Sequence, residues 1–210
     1  KEAETAYKNA ISFKTNYAEA FNNMGNCLRD LGRMKEAETA YKNAISFKTN
    51  YADAIYNMGN ILREVEDLEK AIEFFNKVIL INPNSAETYN SIGATLKELG
   101  KTKESIKSFE KAVMLKPDYA EAYYNMGIAF KELNKYNESL DAYNHAIKLN
   151  PNYAEAYYNM GIVYQDQGSL DKSIQAFINA LSCKPNYEIA QTQILFQSAN
   201  ICEWNTIEKY

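Results

Sequence analysis

The sequence predicts an all-α solenoid of antiparallel helix pairs, and three observations carry that prediction. Five glycines, Gly25, Gly59, Gly93, Gly127 and Gly161, stand 34 residues apart, and Gly32, Gly100 and Gly168 each follow one of them by seven. The four prolines, Pro83, Pro117, Pro151 and Pro185, keep the same 34-residue spacing. Residues 1–17 recur unchanged as residues 35–51, so the period reflects internal duplication. A repeat of this length is one helix pair that cannot bury its apolar face alone and must stack on its neighbours.

The array reads as a lone second helix at 1–17 and five full repeats, 18–51, 52–85, 86–119, 120–153 and 154–187. In the first full repeat, Phe21, Met24, Gly25 and Leu28 form an i, i+3, i+4, i+7 stripe, the signature of a helix with one buried face. A glycine inside that helix costs about 1 kcal/mol against alanine, so it needs a packing reason. The expectation is close approach of the second helix through the small Ala37 and Ala44. Gly32 falls where a left-handed residue ends the first helix. Asn134 can take that role, and Glu66 fits it poorly. The second helix carries Ala37, Tyr41 and Ala44 and closes near Thr49 or, in later repeats, a proline. Asn50, Asn84, Asp118, Asn152 and Asn186 are then expected to cap the next helix, with Asp53, Glu87, Glu121 and Glu155 three residues on as capping boxes.

These residues resemble the tetratricopeptide repeat (TPR) family. The match is carried by Tyr123, Gly127 and Phe130 in a first helix and by Ser139, Tyr143, Ala146 and Pro151 in a second. What the resemblance implies is a right-handed superhelical solenoid whose first helices line a concave face. That face is expected to hold an extended peptide or protein segment.

Candidate contacts for such a segment lie on the first helices. Asn23, Asn57, Asn125 and Asn159 occupy one position, just before Met-Gly, with Ser91 interrupting the row. Asparagine is a poor helix former, and its amide offers one acceptor and two donors that match a peptide backbone. The alternative is that these amides only bond neighbouring first helices. A second row is Asn22, Tyr56, Asn90, Tyr124 and Tyr158, with Asn26 and Asn60 one turn on from the early members. A third, Glu19, Asp53, Glu87, Glu121 and Glu155, is explained by capping. Arg29, Arg63, Lys97 and Lys131 alternate with acids and read as a solvated face. Four asparagines making two bonds each supply about 4–12 kcal/mol net. Association costs on the order of 4–15 kcal/mol, so the ladder alone predicts weak, fast-exchanging binding.

After Tyr187 the repeat fades into a divergent helical segment, 188–210, with Ile194 and Leu195 where Met-Gly belongs. Its Cys202-Glu203-Trp204 resembles the junction into the catalytic region of O-GlcNAc transferase-like glycosyltransferases, which also carry an asparagine ladder. That resemblance implies a substrate-selecting arm that threads protein segments toward a nucleotide-sugar site. The other readings are a stand-alone adaptor, a chaperone-tail clamp and a helical-repeat RNA reader. Asn or Tyr stands where a clamp would need lysine, and a net charge of −4 opposes nucleic-acid and anionic-membrane binding.

No catalytic constellation is legible, and the chain is expected to be non-enzymatic and to need no cofactor or metal. The single His145 lies on a second helix, the three cysteines form no CxxC pair, and every glycine is used by the repeat. The longest aliphatic run, Val78-Ile79-Leu80-Ile81, is far below the ~20 residues that span a bilayer. A cytoplasmic or nuclear location is expected. The opening half repeat and the missing polar caps suggest an excised segment of a longer protein whose ends could stack on one another.

Overall fold

The computed structural model describes residues 17–200, which leaves 1–16 and the Cys202–Trp204 motif outside the described residues. These form eleven helices and no strand. They are α1 (Tyr17–Asp30), α2 (Met34–Phe47), α3 (Ala52–Glu64), α4 (Leu68–Ile81), α5 (Ala86–Glu98), α6 (Thr102–Leu115), α7 (Ala120–Glu132), α8 (Tyr136–Leu149), α9 (Ala154–Asp166), α10 (Leu170–Cys183) and α11 (Glu188–Asn200). The chain divides into two compact units, Lys1–Glu104 and Ser105–Tyr210.

In the first unit α1 pairs with α2 and α3 with α4, while α3 also lies against α2 and α5 against α4. The first helices touch one another, α1 on α3 and α3 on α5. In the second unit α7 pairs with α8 and α9 with α10, α9 lies against α8 and α7, and α11 packs on α10. Each unit is thus a run of TPR-type helix pairs. Leu28, Tyr41, Met58, Ile61 and Phe75 anchor the first core. Tyr143, Met160 and Val163, then Phe177, Leu181 and Ile194, anchor the second.

The helical glycines have a sharper reason than small alanines. A Cβ on Gly25 would sit 2.5 Å from Tyr41 Cε1, and one on Gly59 2.6 Å from Phe75 Cε1. Gly127 and Gly161 meet Tyr143 and Phe177 at 2.6 and 2.5 Å. The second helix drives an aromatic ring flat onto the first, and all four rings are fully buried. Where the second helix starts with serine, its hydroxyl also reaches that bare backbone. Ser139 Oγ donates to Gly127 O at 2.8 Å and Ser173 Oγ to Gly161 O at 2.7 Å.

Left-handed residues end the first helices as expected, Gly32, Gly100 and Gly168 at φ of 72–73° and Asn134 at 57°. Glu66 adopts the same conformation at 63° despite its Cβ. The reason is the closing bonds: Asp67 N donates to Leu62 O at 2.8 Å, as Arg33 N does to Leu28 O at 2.9 Å. The repeat geometry imposes the turn and Glu66 carries the strain.

The capping expectation is corrected. The cap residues are Tyr51, Ser85, Tyr119 and Tyr153, one position later than Asn50, Asn84, Asp118 and Asn152, the residues expected in the role. Only Ser85 among them accepts a side-chain cap bond, from Thr88 N at 3.3 Å. Asn82 and Asn150 instead fold back on the turn, accepting from the backbone N–H of Asn84 and Asn152 at 3.3 Å. The Tyr153 ring at one of these caps packs on Tyr124, 4.8 Å away, and the Tyr187 ring at the same position of the repeat packs on Tyr158, 5.5 Å away.

Candidate functional site

The first-helix amides are used first to join repeats. Asn57 Nδ2 donates to Asn22 Oδ1 at 3.0 Å and to Asn26 Oδ1 at 3.1 Å. Asn26 Oδ1 also accepts from the Tyr41 hydroxyl at 2.8 Å, so one network ties α1, α2 and α3. The next rung is Tyr56 with Ser91, whose hydroxyls lie 2.8 Å apart. In the second unit Asn159 Nδ2 donates to the Tyr124 hydroxyl and to Glu155 O, both at 3.0 Å. Each cross-repeat pair, 22 with 57, 56 with 91 and 124 with 159, is separated by 35 residues.

That rule explains why Ser91 is no gap. A long tyrosine in the preceding repeat lets a short serine complete the rung, whereas two asparagines meet halfway between α1 and α3. The pairing was not deducible from a single column of the repeat, because the partner sits in a different column that varies with it.

The rungs decide what remains for a ligand. An amide NH2 has two hydrogens, and those of Asn57 and Asn159 go to groups of the protein itself. Asn57 Oδ1 keeps its acceptor capacity, with no partner among the described residues. Asn159 Oδ1 faces Lys131 Nζ at 3.5 Å. Around Asn57 the first unit opens a cleft of 440 Å³, lined by Asn22, Asn26, Tyr56, Asp53, Glu87 and Thr88 among others. Of the predicted contacts, Asn22, Asn26, Tyr56 and Asn57 therefore meet in one place. Asn23 and Asn60 are half-buried on α1 and α3 outside that lining, and Asn90 is buried on α5. In the second unit Asn125 is half-buried on α7, while Tyr124 and Tyr158 lie tilted against Tyr143 and Phe177 at 6.0 and 5.4 Å.

Burial keeps the tyrosines of these faces neutral. It pushes the Tyr41 and Tyr187 phenols up to about 12. Tyr124 and Tyr153 are raised by the same cause, with the Glu155 carboxylate adding to it. They remain hydrogen-bonding phenols, not bases. The basic row departs from a purely solvated face: Arg63 Nε reaches Glu98 Oε1 of the next first helix at 3.3 Å. Among the acids, Glu155 faces Lys184 at 3.7 Å.

The reactive side chains are scattered. His145 is exposed and stacks on Tyr123 at 5.1 Å. Cys183 Sγ points to Pro151 O at 3.7 Å, and burial raises its thiol above the ordinary value, which disfavours a thiolate nucleophile. Among the described residues no group of His, Cys, Asp and Glu could hold a metal ion, and no helix is long and apolar enough to cross a membrane.

Comparison with known proteins agrees with this architecture. Two family models match, described as TPR repeat over residues 95–134 and 129–168, and as tetratricopeptide repeat over 18–51, 52–85 and 154–187. The chain belongs to the tetratricopeptide-repeat family. Among solved structures it is similar to MamA, at 25% identity, covering 77% of this chain and 95% of that one with a TM-score of 0.70. It is also similar to YrrB, described as a TPR protein with an unusual peptide-binding site, at 23% identity, 88% and 95% coverage and a TM-score of 0.67. PilF of Pseudomonas aeruginosa shares the fold at 15% identity, 92% and 88% coverage and a TM-score of 0.80. No curated protein matches the chain.

Proposed function

We propose that this chain is a non-catalytic TPR scaffold that holds an extended protein segment against its first helices. The observation that carries the reading is the cleft of the first unit, where Asn57 offers a carbonyl oxygen beside the Asn22 and Asn26 amides. The donors of Asn57 and Asn159 are engaged, so in this reading the amide oxygen is the group that accepts a peptide N–H, one at each of the four ladder asparagines. Four such bonds contribute about 2–6 kcal/mol, below most estimates of the association cost. Binding is therefore weak unless side chains of the segment fill the cleft.

The test is titration of isotope-labelled chain with unstructured peptides, beside a variant with Asn23, Asn57, Asn125 and Asn159 changed to Ala. Side-chain amide shifts of Asn57 and Asn22 in the unaltered chain, and at least ten-fold weaker binding in a still-helical variant, are expected. Unchanged binding together with silent amides would leave the asparagines as stack rungs only.

The narrower form, a substrate-recognition arm of an O-GlcNAc transferase-like enzyme, rests on the Cys202–Trp204 resemblance and the ladder positions. It requires a nucleotide-sugar-binding domain encoded in frame after Tyr210. A stop codon there removes it and leaves a stand-alone adaptor.

A further inference from the structure

The second helices of the first unit carry a feature that neither the repeat nor the first-helix site uses. Between α2 and α4 lies an apolar groove of 420 Å³, lined by Ile45, Ile55, Phe74, Leu80 and Ile81. Leu80 is 83% exposed and Ile81 38%. Sister repeats supply an internal control on what the fold requires. The position of Phe74 is Ala40, Ser108, Ala142 and Ala176 elsewhere, and that of Leu80 is Ser46, Met114, Lys148 and Ser182. Four other repeats fold without a large ring at the first position, and three place a polar group at the second. Phe74 is half-buried against the core and walls the groove, while the water-facing apolar bulk of Leu80, which three sister repeats do without, marks an interaction surface.

Charge selects the occupant. Lys42 and Lys77 are the charged residues of the lining, and no carboxylate joins them. Lys42 Nζ is held by Glu38 at 2.7 Å. Lys77 Nζ lies over the Phe74 ring at 4.3 Å and has no carboxylate partner among the described residues. An ammonium poised over an aromatic wall favours a carboxylate next to an apolar side chain. We propose that this groove docks a partner protein segment presenting adjacent aliphatic residues flanked by acids. It does so independently of the first-helix face.

The probe is a capped peptide, Gly-Asp-Leu-Leu-Asp-Gly, titrated into methyl-labelled chain, with Lys-for-Asp and Ala-for-Leu versions as controls. Saturable shifts are expected on the methyls of Ile45, Ile55, Leu80 and Ile81. Both control peptides, and salt, should weaken the response at least ten-fold. The variants Leu80→Ser and Phe74→Ala, which install sister-repeat residues, should do the same with helicity retained. Leu80→Ser alone suffices if Phe74→Ala loosens the core. Absence of saturable shifts, an equal response to the lysine peptide, or shifts confined to first-helix methyls would overturn the proposal. So would sedimentation showing a dimer that Leu80→Ser abolishes, because the occupant would then be a second copy of the chain.

Discussion

Placing a methyl group on Gly59 tests the packing argument most directly. The Gly59→Ala Cβ would lie 2.6, 2.8 and 3.0 Å from three atoms of the Phe75 ring. Carbon pairs prefer about 3.5–4.0 Å, so the ring must retreat by about 1 Å. Phe75 is fully buried against Tyr56, 5.5 Å away, and cannot swing into solvent. Alanine gains about 1 kcal/mol of helix propensity over glycine. Overpacking a tight core costs about 1–3 kcal/mol, and this contact is at the severe end. The net expectation is a loss of about 1–2 kcal/mol, read by urea denaturation followed by circular dichroism. Hydrogen exchange should quicken most in α3 and α4, because coupling in a repeat array runs through nearest neighbours. A second substitution, Phe75→Leu, should recover part of the loss by clearing the methyl. If Gly59→Ala is neutral or stabilising, ring pressure is not what keeps glycine in these helices.

The two tyrosines that press on glycines should respond oppositely to losing their hydroxyls. Tyr41→Phe breaks the bond to Asn26 and should cost about 1 kcal/mol, whereas Tyr143→Phe should be neutral or stabilising by thermal melting. The Tyr143 hydroxyl is buried and makes no well-formed hydrogen bond among the described residues. Glu66→Gly should raise stability by about 0.5–1 kcal/mol in urea melts, relieving a left-handed side chain at φ 63°; a drop would mean that Glu66 earns its place through contacts. Stability should fall as pH rises from 10 toward about 12. Over that interval unfolded tyrosines release their protons while Tyr41 and Tyr187 keep theirs, so the unfolded chain binds fewer protons. A flat stability across that window, with all phenols titrating together by ultraviolet absorbance, would contradict their burial. Finally, Asn57→Ala should loosen both α1 and α3 in hydrogen exchange, and pairing it with Asn22→Ala should cost less than the two separate losses combined.

Most of the fold was legible because a repeat writes the same physical demand five times. Glycine at 25, 59, 127 and 161, with tyrosine or phenylalanine sixteen residues on, records a clash that any other residue would meet. Left-handed turns were readable at Gly32 and Asn134 for the same local reason. Glu66 was not, because there the backbone bonds of the closing turn outweigh the side chain's preference. Caps were misplaced by one residue: Tyr51, Tyr119 and Tyr153 hold the position with no side-chain cap bond, and the Tyr153 ring serves tertiary packing on Tyr124 instead.

The candidate site divides along the same line. By itself the sequence determined which side chains share a register: the asparagine column, the mixed column of Asn and Tyr before it, and the apolar excess of α4. Register follows from periodicity, which is a property of the chain. Only the tertiary structure decided where each hydrogen goes. Asn57 spends both of its donors on Asn22 and Asn26, Ser91 completes a rung that Tyr56 begins, and the first-unit cleft gathers four of the eleven predicted contacts. Such pairings depend on the distance between stacked helices, and no single repeat contains it.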